Sequence, residues 1–151
     1  MTTLSFTFSS NGLYYVGLTG TKAQPTLHSK GKILLPANHS VSQLVGWFEN
    51  QLEMLLNDIN PDSVSYKLTI TNVNNNMVHN CYYGQAILNI LCHKRNIPIT
   101  HTSPSAIVGS KFGLSKGSDL HAHIDSQIGT HPPHWDVKMR DTALISLIIL
   151  Q

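Results

Sequence analysis

The residues best suited to chemistry crowd into one stretch near the C-terminus: His121, His123, His131 and His134, with Asp125 and Asp136 among them. His-x-His and His-x-x-His spacings can present imidazole nitrogens to Zn²⁺, and a neighbouring carboxylate can add a ligand or orient a ring. Between residues 113 and 135, however, the chain carries Gly, Ser, His and Pro without periodicity. The plainer expectation is therefore a long solvated loop, which could alternatively be a pH-responsive or partner-contacting surface. His79, His93 and His101 fall near a helix and the strand after it, where satisfied side chains are the simpler reading.

Basic residues offer a second chemistry. Lys94 and Arg95 close a helix, where positive charge complements the helix dipole and could also meet phosphate, and Lys111 and Lys116 follow in a glycine-rich segment. The net charge of +2 is too small to argue for nucleic acid by itself. Tyr14, Tyr15, Tyr82, Tyr83, Trp47 and Trp135 could stack on bases, although most belong in a core. Cys81 and Cys92 lie in one helix, roughly 16 Å apart along its axis, so they cannot bridge each other and suit a reducing compartment. There is no phosphate-binding Walker loop.

The hydrophobic pattern of the chain sets the elements that position these residues. Leu4, Phe6 and Phe8 alternate with polar residues, Asn11-Gly12 signals a hairpin, and Leu13 to Leu18 returns as a second strand, with a third expected over Leu27 to Leu35. Val41, Leu44, Val45, Phe48, Leu52, Leu55, Leu56 and Ile59 recur at helical spacing. Ser40 and Gln43 form a capping box before that helix, and Asn60-Pro61 ends it. Val64 to Thr71 reads as a strand, the asparagines 72 and 74 to 76 as a turn or cap, and Met77 to Arg95 as a second long helix. A short strand over Ile97 to His101 follows, then a short helix opened by Ser103-Pro104. Asp136 caps the last helix, whose Val137, Leu144, Leu147 and Ile148 are expected to face inward. This order implies a three-layer α/β domain over residues 1–151, with an antiparallel β1-β2-β3 meander joined to parallel β4 and β5 and flanked by helices. The N-terminus lacks a basic, apolar leader and no apolar run is long enough to span a bilayer, so a soluble cytoplasmic protein is expected.

Local text sharpens the reading. Tyr83-Gly84-Gln85-Ala86-Ile87, Arg95-Asn96-Ile97-Pro98-Ile99 and Ser103-Pro104-Ser105-Ala106-Ile107 resemble the middle of RuvC-type resolvases of the RNase H-like superfamily. Asp141-Thr142-Ala143-Leu144 is similar to the acidic start of their last helix. The chain is also similar to short bacterial RNase-H-like domains of about this length. In this setting the Gly-Gln-Ala step implies close packing of a helix on the sheet rather than substrate contact.

The resemblance implies a nuclease chemistry and a way to test for it. Nucleases of this fold hold two divalent cations on three or four carboxylates, which come from the first strand, the end of the fourth strand and the last helix. The acids of this chain are Glu49, Glu53, Asp58, Asp62, Asp119, Asp125, Asp136 and Asp141. None lies in the meander, and none lies between Asp62 and Asp119. Thr7 stands near the first-strand position and Thr71, beside Asn72, near the fourth. The expected site is thus Thr7, Thr71 and Asp141, close together at one end of the sheet, with Asp136 nearby. One or two acids hold Mg²⁺ or Mn²⁺ weakly without substrate phosphates.

Three functions remain in view. A binding or assembly module with a degenerate nuclease site would partner nucleic acid or a protein of a DNA-handling system. A metal-dependent hydrolase would use Zn²⁺ or Mn²⁺ on the His121 to Asp136 stretch, together with Asp141. A structural homodimer would need neither.

Overall fold

The computed structural model describes residues 1–151. Its elements are β1 (Thr2–Ser9), β2 (Gly12–Thr21), β3 (Gln24–Leu34), α1 (Val41–Ile59), β4 (Ser63–Lys67), α2 (Asn76–Arg95), β5 (Ile99–Thr102), α3 (Leu120–Ile128) and α4 (Val137–Ile149). Two short 3-10 turns, Pro104–Ala106 and Gly109–Phe112, link β5 to α3. The strands form one mixed sheet in the order β3-β2-β1-β4-β5. β1 pairs antiparallel with β2 and parallel with β4, so the meander joins a parallel half. No helix is long and apolar enough to cross a membrane.

β1 runs down the middle and is buried almost throughout, because helices cover both faces. Its alternation divides the molecule. Leu4, Phe6 and Phe8 join Val64 and Tyr66 in a core packed by Leu44, Phe48, Leu52 and Leu56 of α1 and by Leu88, Leu91 and Cys92 of α2. On the other face, Tyr14, Val16 and Leu18 pack with Ile124 of α3 and Met139, Ala143, Leu144 and Leu147 of α4. Between these, α4 lies against small polar residues: Thr3, Ser5 and Thr7 of β1 are buried, and Ser146 Oγ sits 2.7 Å from Thr3 Oγ1. The Thr3–Ser146 and Thr7–Thr142 hydroxyl pairs let α4 approach the sheet where apolar side chains would hold it off, whereas the buried Ser5 Oγ has no hydrogen-bond partner.

Local signals account for most boundaries. The Ser40–Gln43 capping box is formed, Asn60 ends α1 in the left-handed region, and Asn75 Oδ1 accepts the Val78 N–H to start α2. Tyr14 and Tyr15 are adjacent yet both find apolar neighbours, because the sheet is covered on both sides.

Four expectations are corrected. β3 starts at Gln24 rather than Leu27, since its hairpin with β2 continues to the Thr21↔Gln24 pair. β4 stops at Lys67 instead of running to Thr71. The segment 113–135 is not one loop: Asp119 caps α3, and Leu120, Ile124 and Ile128 recur every four residues on its inward face. Val137 is 59% exposed, being the first residue of α4 and turned outward, so it does not join the core.

Candidate functional site

Register places one row of side chains across all five strands. Lys32 of β3 pairs with Tyr14 of β2, Tyr14 with Thr7 of β1, Thr7 with Lys67 of β4, and Lys67 with Thr102 of β5. Residues directly opposite one another in a pleated sheet share a face. This row therefore faces α4, at the end of β1 and β4 where the chain leaves the parallel strands. From above, α4 contributes Lys138, Asp141 and Thr142, spaced by three and four residues on one side of the helix. Thr142 Oγ1 lies 2.7 Å from both Thr7 Oγ1 and the Lys138 carbonyl oxygen.

Asp141 is the chemical centre of this arrangement. Lys67 Nζ donates to its Oδ2 at 2.6 Å, and His121 Nε2 lies 2.8 Å from its Oδ1. Facing an ionised carboxylate, which only accepts, that imidazole nitrogen carries the proton. The pair is sheltered, with the Lys67 and Asp141 side chains 23% and 16% exposed. Lys67, Thr7 and Lys138 also line a cleft of about 650 Å³, whose rim is Ile70, Thr71, Val73 and Met77. Ile70, Val73 and Met77 are largely exposed there.

The three expected residues are thus near one end of the sheet but are joined differently. Thr7 touches α4 through Thr142, and Asp141 reaches the strands through Lys67. Thr71 is exposed in the loop beyond β4, on the cleft rim, with its Oγ1 accepting the Val73 N–H at 3.0 Å. Thr71 lies beyond the strand, and the residue opposite Thr7 at the end of β4 is Lys67. Its signal was present in the sequence: with Val64 and Tyr66 apolar, period two sets Ser63, Ser65 and Lys67 on the face of Thr3, Ser5 and Thr7. Lys138 and Thr142 could have been found by helical spacing from Asp141.

Without substrate phosphates this donor set fits a divalent cation poorly. Mg²⁺ is held through carboxylates, waters and substrate phosphates, and here the one carboxylate has both oxygens engaged, one of them by an ammonium group.

The histidine-rich stretch does not converge on a metal-binding set either, for no group of three His, Cys, Asp or Glu residues is arranged to hold a metal ion. His121 turns to Asp141. His123 packs on Phe112. Asp125 accepts from Arg140 and from Trp135 Nε1, pinning α3 to the start of α4. His131 Nε2 lies 2.6 Å from the Ile128 carbonyl, and its ring meets Trp135 edge-on. His134 is exposed, with a φ of 63°. Asp136 caps α4 through the Met139 N–H and accepts the Tyr14 hydroxyl at 3.1 Å. Burial works against the Asp136 charge, but those hydrogen bonds and the nearby Lys32 and Lys138 together hold its carboxyl below the usual range.

The expected basic contacts fall elsewhere. Lys94 is exposed in the last turn of α2, and Arg95 Nη1 donates to Asn57 Oδ1 at 2.7 Å. The chain from there returns to the start of β4, where the Val64 N–H donates to the Pro98 carbonyl, so both residues sit at the opposite end of the sheet from Lys67. Lys111 borders a separate groove beside Thr102, and Lys116 lies in the turn before α3. The two cysteines are buried and free. Burial pushes the Cys92 thiol up to about 11 and raises Cys81 as well, as for inert core thiols.

No protein-family model and no curated protein matches the sequence. Solved structures do. RuvC of T. thermophilus in complex with a Holliday junction substrate superposes with a TM-score of 0.81 at 10% identity, over 98% of this chain and 92% of that one. The yeast mitochondrial Holliday junction resolvase gives 0.71 at 14% identity, covering 97% and 76%. The fowlpox virus resolvase with its junction DNA gives 0.55 at 14%, covering 97% and 95%. The chain therefore has the RNase H-like fold of RuvC-type resolvases, as its sequence motifs implied. At these identities the likeness is one of fold.

Proposed function

We propose that this protein is a nucleic-acid-binding module that uses the resolvase fold to bind DNA without cutting it by two-metal chemistry. The observation that carries the reading is the Lys67–Asp141 ion pair beside Thr7, at the end of the sheet. An ammonium group there neutralises the one carboxylate and brings the wrong sign of charge for a cation, while favouring the phosphate backbone. Free, buried cysteines fit a reducing compartment, so we assign the protein to the cytoplasm.

Fluorescence anisotropy with a labelled four-way DNA junction, the matching duplex and a single strand tests the reading. Binding is expected in the micromolar range or tighter at physiological salt, weakening steeply as salt rises. Incubation of the same substrates with Mg²⁺ or Mn²⁺ is expected to leave them intact. Cleavage that disappears in the Asp141→Asn variant would reinstate a metal-dependent nuclease, and absence of binding to every substrate would remove nucleic acid as the partner.

A further inference from the structure

The reading above leaves open which atoms meet the ligand. On the α4 face of the sheet every carboxylate is already engaged: Asp119 caps α3, Asp125 is bound to Arg140, Asp136 caps α4, and Asp141 is shared by Lys67 and His121. The ammonium groups beside them are not matched in the same way. Lys138 is exposed, lines the cleft with Lys67, and forms no ion pair; Lys32 likewise forms none. Lys32 and Lys138 flank the Tyr14 ring at 5.3 and 5.9 Å from its centroid. Lys67 gives one N–H to Asp141 and keeps two more. Thr7 adds a hydroxyl between the two lysines of the cleft. The cleft therefore presents positive charge toward solvent, over a buried Thr7 hydroxyl that is bonded to Thr142, with no carboxylate in its lining.

Resting on the nucleic-acid reading, we propose that Lys67 and Lys138 hold a backbone phosphodiester of the bound strand at Thr7, with ammonium groups of the chain itself meeting its charge. Binding then needs no metal. Asp141, which a metal-dependent site would require, instead restrains Lys67 and weakens its grip on phosphate. Removing the Asp141 charge should tighten binding.

The test is anisotropy with the labelled duplex and junction in EDTA and in Mg²⁺, across a salt series, for the intact chain and the variants Lys138→Gln, Lys67→Gln, Asp141→Asn and Lys22→Gln. Lys138 is exposed, so its variant keeps the fold even if the Lys67 variant does not. Lys22 lies in the β2–β3 turn at the far end of the sheet and serves as control. The expected result is equal affinity in EDTA and Mg²⁺. Lys138→Gln and Lys67→Gln should each flatten the duplex salt slope by about 0.9, equivalent to about eightfold at 0.1 M salt. Asp141→Asn should bind more tightly than the parent, and Lys22→Gln should match it. If the parent binds but the Lys138 and Lys67 variants behave like Lys22→Gln, or Asp141→Asn weakens binding, or EDTA abolishes it, this inference is overturned while the nucleic-acid reading stands. If the parent binds no nucleic acid, the reading itself fails and the inference falls with it.

Discussion

Asp125 shows how a single carboxylate is spent on structure in this fold. Arg140 donates to both its oxygens and Trp135 adds a third donor, so the hydrogen bonds from Arg140 foremost hold the carboxyl below the usual range, against the opposing effect of burial. Its protonation is therefore linked to folding with a definite sign. The folded state binds the proton less readily than the unfolded chain, whose carboxyl titrates near pH ~4, so the contribution is complete above that pH and fades as pH falls below it. Asp125→Asn should cost about 1 to 2 kcal/mol at pH 7, allowing for solvent screening of a pair that is 24% exposed. Urea midpoints at pH 7 and pH 3 check this: the gap between variant and parent should narrow at the lower pH. An undiminished gap would mean that the charge is not what Arg140 recognises. The same dependence on partners bears on the histidine-rich stretch: the spacing of His121 from His123 is visible in the sequence, but the contact of His121 with Asp141 exists only once α3 packs on α4.

At the scale of elements, the approach of α2 to the sheet depends on Gly84. A Cβ built there would lie 2.5 Å from Phe8 Cδ1 and Cε1 and 2.9 Å from Phe48 Cε1. Phe8 is itself wedged edge-on against Phe48, so neither ring can yield freely. Alanine would gain about 1 kcal/mol of helix propensity, but overpacking costs about 1 to 3 kcal/mol, and here both rings are constrained. Gly84→Ala should thus lower the urea midpoint, and Phe8→Leu in the same chain should restore part of the loss; a more stable single variant would show that α2 can shift. This close packing was legible from the Gly-Gln-Ala step, as were the two faces of β1, both ends of α1 and the caps of the long helices, because each depends on residues near in sequence. The end of β4 was not. Apolar Leu68 and Ile70 continue its alternation, but pairing with β1 ends at Thr7↔Lys67, and the Leu68 N–H turns to the Thr102 carbonyl. That register is a long-range property, and it is what puts Lys67 rather than Thr71 opposite Thr7. Helix α3 escaped notice for another reason: it turns only three apolar residues inward among Gly, Ser and His, too few for its period to stand out.

Across the whole molecule, the sheet keeps the acids of α1 apart from the lysines around Thr7, although Asp119, Asp125, Asp136 and Asp141 share the lysines' face. Glu49, Glu53 and Asp58 lie on α1, which carries no lysine or arginine, whereas Lys32, Lys67 and Lys138 gather on the opposite face around Thr7. The small net charge of +2 hides this separation. Exposed charges more than about 10 Å apart are largely screened at 0.1 M salt, so the acids behind the sheet should have little influence on a phosphate held in front of it. This separates steering by total charge from contact at the site. The double variant Glu49→Gln with Glu53→Gln raises the net charge by two units, and Asp141→Asn raises it by only one. If DNA responds to the whole protein's field, the double variant should gain more affinity. The charge layout predicts the reverse at 0.1 M salt: the α1 variant close to the parent, and Asp141→Asn tighter than both. As salt is lowered and the screening length grows, the α1 variant should begin to gain, whereas the advantage of Asp141→Asn should already be present at the higher salt. Anisotropy at two ionic strengths separates these outcomes, and equal gains for the two variants at 0.1 M would show that the face around Thr7 has no privileged role.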